Sequence, residues 1–483
     1  MQKALLLPAV LLAASARAEV RLPAVLGDHA VLQCGRPAPV WGAAAPGEKV
    51  VVRFAGQEKA AVADAAGRWR VDLDPMPASA EPRELSANGA TAKGLLVGEV
   101  WICSGQSNME MSLLKTDGGA EEAARANHPQ LRLFNVPKRP AAEPQADCEG
   151  RWEPCAPAAA GAFSAVAYHF GLDLQRELKV PVGLIQSSWS GTPAEAWMSR
   201  EGLKPVQAFA MRRGPNFGLP AQGARRGRAD PEALQTPSAT GVSPLASHAL
   251  FDGMVAPLAP CGVRGVAWYH GGANSSGPAA RNYQKLLPAL IADWRARWAQ
   301  ADLPFLIVQL ANIGAPAEDP NTFAGRTVVR DAQLKTLSVP NTGLVVAIDC
   351  GGDGEKHPKD KTEISRRLAL LALAKAYGRP VEASGPIYDG MTVEGPKVRV
   401  RFRSLGGGLV STDGKPLARF ALAGADQRFA WADAAIEGDT VVVSSAQVPQ
   451  PVAVRYAFSE NPAGCNLGNK AGLPASPFRS DDW

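Results

Sequence analysis

The sequence predicts an α/β domain built on a parallel sheet and flanked at each end by a β domain. Three observations carry this. The 483 residues exceed what one compact core needs. From about Gly98 to Gly378, short apolar strand patterns alternate with helical ones. Outside that stretch the pattern is purely of the strand-and-turn kind. The 48 glycines and 40 prolines fit many turns and short strands.

The first eighteen residues read as a secretory leader. Lys3 precedes an apolar run from Ala4 to Ala14, and Ala16-Arg17-Ala18 is a small-x-small cleavage site, so the cut is expected after Ala18. The expected product is periplasmic or extracellular. From Glu19 to Leu96, alternating runs such as Val50-Val51-Val52-Arg53-Phe54 and Trp69-Arg70-Val71-Asp72-Leu73 are punctuated by Ala45-Pro46-Gly47 and Ala66-Gly67, a small sandwich-like domain. The α/β domain is expected over residues 97–380, with strands at Val100–Cys103, Val182–Gln186, Gly265–Tyr269, Phe305–Leu310 and Leu344–Ile348. Its helices are expected at Val166–Leu178, Tyr283–Ala299 and Thr362–Tyr377.

Two segments interrupt the alternation. Residues 204–243, with the basic run Arg225-Arg226-Gly227-Arg228, read as a long loop insertion. Pro137–Ala160 is a Pro/Ala-rich excursion. The chain turns β again over residues 381–483, with strands at Lys397–Phe402, Thr440–Val443 and Val452–Tyr456.

Composition excludes several classes. Lys and Arg number 51 against 46 Asp and Glu, a small scattered excess that gives no electrostatic support to a nucleic-acid partner. No run beyond the leader is long and apolar enough to span a bilayer. Seven cysteines, an odd number, do not make a disulfide framework, although Cys148 and Cys155 are near enough to pair across a loop. Zinc-type Cys/His spacing, a P-loop, a dinucleotide fingerprint and Gly-x-Ser-x-Gly are all missing.

What remains points to nucleophilic catalysis. In Gly98–Met111 a strand runs into a glycine turn and then a helix start, placing Ser107 where a hydroxyl lies beside free backbone N–H groups. The bland alternative is a simple helix cap. Of the six histidines, His357 stands apart. It follows the strand ending at Asp349, on a loop at the sheet edge where open α/β sheets bind ligands, and Asp353 and Glu355 precede it. An oxyanion hole finds candidates at Gly191, in Trp189-Ser190-Gly191-Thr192-Pro193, and at Asn274, in Gly271-Gly272-Ala273-Asn274. Each alone reads as turn chemistry. Their convergence after successive strands is the argument.

Gly105-Gln106-Ser107-Asn108-Met109, the Trp-x-Gly-Thr-Pro-x-Glu-x-Trp stretch at Trp189–Trp197, Trp268-Tyr269 with Gly271 and Asn274, and His357-Pro358 resemble the sialate O-acetylesterases, SGNH-type carbohydrate esterases. The likeness extends to Leu26-Gly27-Asp28-His29 near the start and to Asn466–Lys470 and Ser476–Trp483 at the end. It implies a flavodoxin-like SGNH domain, Ser107 as nucleophile, His357 as general base and no cofactor. The oxyanion would meet the N–H groups of Ser107 and Gly191 and the Asn274 side chain, with Gln106 among the substrate-binding residues. Three positions depart from the family pattern. Gly272 stands where a glutamate is usual, Glu355 where an aspartate is usual, and Ser190 where a second glycine is usual. The acid that orients His357 is therefore expected to be Glu355, with Asp353 as second choice, and His270, foreign to the pattern, is expected near the substrate.

The implied substrate is an O-acetylated sialic acid. Acetylated xylan or pectin, and a non-catalytic carbohydrate-binding protein, are the alternatives; a long-chain lipase finds no apolar lid in the site loops. Oligomeric state is not legible.

Overall fold

The computed structural model describes residues 19–208, 240–352 and 354–483. The leader, most of the insertion and Asp353 lie outside the described residues.

A parallel sheet forms the centre. Its longest strand, Ala90–Gly105, is flanked by Val182–Ser188 on one side and Gly265–Tyr269 on the other. His128–Asn135 and the antiparallel edge strand Trp152–Cys155 extend the first side, and Phe305–Val308 and Thr342–Val345 the second. Val182–Ser188 is buried at every residue, as expected for a strand covered on both faces. Numbered along the chain, the parallel strands run 2-3-1-4-5-6. Without His128–Asn135, the outermost of them on its side, the remaining five run 2-1-3-4-5, the flavodoxin-like order. The doubly wound architecture holds, and so does its consequence. The chain winds outward in both directions from the first strand, so a crevice opens where Gly105 and Tyr269 end.

Helices cover the sheet much as the sequence predicts. Ala165–Leu178 is capped by the Ser164 hydroxyl, which accepts from Ala167 N at 3.1 Å. Thr362–Tyr377 stops at Gly378 in the left-handed conformation, the usual C-terminal punctuation. Gly277–Arg297 begins six residues before the apolar periodicity does. Gly325–Lys335 is a helix that the sequence reading missed. So were His128–Asn135 and Trp152–Cys155, the latter inside the Pro/Ala-rich excursion.

The N-terminal β domain is not joined by a linker. Ala90–Gly105 is one continuous strand of 16 residues whose first half pairs with Ser79–Ala87 and Val31–Gln33 and whose second half is the centre of the parallel sheet. The expected boundary at Leu96 falls inside it. The C-terminal domain is an antiparallel seven-stranded sheet, nearly closed on itself. It grips the catalytic domain through Arg330, which is 1% exposed and donates to the carbonyls of Leu310, Ala311, Ser459 and Glu460. That fixes the Leu310–Ile313 segment beside the crevice.

All seven cysteines are free thiols. Cys148 and Cys155, near enough in sequence to pair, are both buried and unpaired.

Candidate active site

The nucleophile turn is set by backbone sterics. Gly105 has φ 140°, and a Cβ there would lie 2.2 Å from the Tyr269 carbonyl oxygen, so only glycine lets the two neighbouring strands end this close. Gln106 N then donates to Tyr269 O at 3.2 Å, and the short helix Ser107–Glu110 begins. Ser107 sits at its first position, half-buried, with its N–H free of any protein acceptor among the described residues.

His357 reaches the same point from the far side. Its Nε2 lies 2.7 Å from Ser107 Oγ, although the two are 250 residues apart. That is the distance of a hydroxyl hydrogen-bonded to its base. The loop that carries His357 is held by side chains. Asn108 donates from Nδ2 to Lys356 O at 3.2 Å and accepts at Oδ1 from Lys361 Nζ at 2.7 Å. Gly351 N donates to Asn312 Oδ1, and Arg367 forms a two-pronged pair with Asp349 at the loop's start. Lys361 is 1% exposed, and burial lowers its pKa to about 7.

Glu355 is not placed on His357. Its side chain is 47% exposed, and its carboxylate faces Lys359 Nζ at 4.0 Å. Asp353, the other acid of the loop, is outside the described residues.

The oxyanion donors are distributed differently from the sequence expectation. Gly191 is as expected: it occupies a left-handed turn at φ 72°, borders the cavity, and its N–H has no protein acceptor among the described residues. The preceding Ser190 N donates to Glu110 Oε2, and Glu110 is held in turn by Lys138. Asn274 is a correction. It is fully buried and absent from the cavity wall; Oδ1 accepts from Ala194 N and Nδ2 donates to Glu195 Oε2, both at 2.9 Å. It braces the Trp189–Trp197 segment from behind. The amide that does face the cavity is that of Gln106. Its Oε1 accepts from Gly271 N at 3.3 Å and Ala273 N at 3.2 Å, which turns Nε2 toward the open side of Gly272.

His270 borders the cavity, but its ring is committed elsewhere. It is fully buried, with Nε2–H donating to Thr192 O at 2.8 Å and Nδ1 accepting from Tyr283 OH at 3.1 Å. It is stacked between Trp268 and Tyr283. Burial lowers its pKa to about 4, so it is neutral and serves to hold Thr192 beside Gly191.

Around Ser107 and His357 opens a cavity of about 510 Å³, walled also by Tyr269, Leu310, Ile313 and Arg326. A nucleophile, its base and two or three N–H donors on one polar cleft can perform acyl transfer. Among the described residues no group of three His, Cys, Asp or Glu side chains is placed to hold a metal ion.

Comparison with known proteins agrees with this geometry. Residues 239–376 match the family described as carbohydrate esterase, sialic acid-specific acetylesterase. Human sialate O-acetylesterase is 31% identical over 81% of this chain and 76% of its own length. The rat protein of the same name is 30% identical over 72% of each chain. The crystal structure of a carbohydrate acetylesterase from Xanthomonas citri superposes with a TM-score of 0.85 at 37% identity, covering 96% of this chain and 100% of that one. The class is therefore that of the carbohydrate esterases. Within it, the chain belongs to the sialate O-acetylesterase family.

Proposed function

We propose that this enzyme removes O-acetyl groups from sialic acids, using Ser107 as nucleophile and His357 as general base. The observation that carries the mechanism is the 2.7 Å contact between His357 Nε2 and Ser107 Oγ.

Ser107 Oγ attacks the acetyl carbonyl while its proton passes to His357 Nε2. The oxyanion of the tetrahedral intermediate accepts from Ser107 N–H, Gly191 N–H and Gln106 Nε2, fixed before substrate arrives. Collapse of the intermediate breaks the ester bond, and His357 returns the proton to the departing sugar hydroxyl. A water molecule, deprotonated by the same imidazole, then releases acetate from Ser107. With Glu355 turned to Lys359, we assign orientation of the imidazole to Asp353.

The sialate substrate rests on the matching family and its relatives, and export on the leader ending at Ala18. Acetate release from 4-nitrophenyl acetate and from an O-acetylated sialic acid, compared between wild type and Ser107→Ala, tests the whole reading. Loss of both activities in the variant is expected. Turnover of the activated ester alone moves the substrate to another acetylated glycan such as xylan or pectin. Equal rates in both proteins overturn the mechanism and leave a binding protein.

A further inference from the structure

The catalytic cavity has a second pole. Arg326, near the start of the helix Gly325–Lys335, spends one nitrogen on the protein: Nη2 donates to Ala311 O at 3.2 Å. Its Nε is buried with no acceptor. Its Nη1 borders the space beside Gly272, 3.6 Å from where a Cβ on that residue would sit. Tyr269 adds a second orphan. The residue is 1% exposed and borders the same cavity, and its buried hydroxyl has no hydrogen-bond partner among the described residues.

Two buried donors left unpaired are costly, and native proteins keep such groups for a ligand or an ordered water. Positive groups dominate the wall of this cavity, and Glu460 is the carboxylate whose field reaches Arg326. Arg326, Lys356 and His357 border the cavity, while no aspartate or glutamate does so among the described residues. Lys361 lies just behind, its Nζ 5.7 Å from the centre of the Tyr269 ring. Burial presses the Arg326 pKa downward, so an anion in front of it would relieve an unpaired charge.

We infer that Arg326, with the Tyr269 hydroxyl, forms a carboxylate subsite that holds a sugar acid in the cavity with its acetyl group toward Ser107. The inference rests on the esterase reading and adds which residues hold the carboxylate of its substrate. Gly272 is part of it, because any side chain there would enter the space the carboxylate needs. The planar guanidinium suits a carboxylate, which accepts from two of its N–H groups at once. Sialic acids and uronic acids share this chemistry.

The test uses inhibition. Hydrolysis of 4-nitrophenyl acetate, which carries no carboxylate, serves as reporter, and each variant is read against its own uninhibited rate. N-acetylneuraminate, galacturonate and the methyl ester of each are added as inhibitors of the wild type, Arg326→Met and Arg326→Lys. At least one free acid is expected to inhibit the wild type about 10- to 100-fold more tightly than its methyl ester. Arg326→Met should reduce that ratio to near one, and Arg326→Lys should restore part of it. Inhibition by N-acetylneuraminate alone identifies a sialate site, and by galacturonate alone a uronate site. No preference for either free acid in the wild type, or an undiminished ratio in Arg326→Met, overturns the subsite. Reporter hydrolysis that survives Ser107→Ala would instead overturn the esterase reading beneath it.

Discussion

The two halves of the catalytic pair are held by different physics. Ser107 stands on backbone: Gly105 lies against the Tyr269 carbonyl, Gln106 N donates to the same oxygen, and a helix begins at once. His357 stands on a loop whose position depends on side chains, chiefly Asn108 and Lys361. One side is rigid because two strands of a sheet end together. The other is precise only while a buried lysine and an asparagine keep their bonds. The contrast teaches where each half is vulnerable: the first to a single methyl group, the second to loss of a polar partner.

The largest expected effect distinguishes the two acids of the histidine loop. Asp353→Asn should lower kcat by roughly 10³- to 10⁴-fold, as loss of an orienting carboxylate does, while Glu355→Gln should stay within about threefold. The reverse order, read from steady-state rates, would return the role to Glu355.

Gly105→Ala is next. The new Cβ must displace the Tyr269 carbonyl, and a shift of about 1 Å in the nucleophile costs on the order of 100-fold. Rates on 4-nitrophenyl acetate, with circular dichroism to verify the fold, would show it. A near-normal rate would mean that the nucleophile side is not set by this contact.

Asn108→Ala removes both tethers of the histidine loop while leaving Ser107 in place. A loss of about tenfold in kcat, with thermal stability nearly retained, is expected if the loop is merely loosened. A wild-type rate would show that the other anchors, Asn312 and Arg367, suffice.

The last effect is one of pH, read as stability rather than rate. The folded-state pKa of Lys361 is depressed to about 7 from 10.5, so between these values the unfolded chain binds more protons and stability rises with pH. Lys361→Met removes that contribution. From pH 7 to 9 the wild type should gain on the variant in denaturant unfolding by up to about 1.4 kcal/mol per pH unit. A constant difference would mean that Lys361 is charged throughout.

Much of this was legible in the residues. Gly265–Tyr269 and Thr362–Tyr377 stand where apolar run and helical period put them, because burial on a sheet face dictates those patterns. The edge strand Trp152–Cys155 was hidden, since it is short and set among prolines, and its pairing comes from His128–Asn135 rather than from its own sequence. Gly325–Lys335 was missed because its buried positions include Thr327, Arg330, Asp331 and Gln333, which read as a surface segment. That helix carries Arg326.

The sequence by itself determined the α/β class, the serine and histidine, and the glycine turn at Gly191, because each depends on local chemistry that spacing reveals. Only the tertiary structure decided which amide faces the cavity. Asn274 and Gln106 look alike as donors in the chain. Ala194 and Glu195 hold the first buried behind the cavity wall, whereas Gly271 and Ala273 hold the second by its oxygen and leave its nitrogen toward the site. The same holds for Arg326, whose Nε has no acceptor and whose Nη1 borders the space that Gly272 leaves. Such choices depend on which distant segments pack together, because a side chain turned to one set of partners is turned away from another.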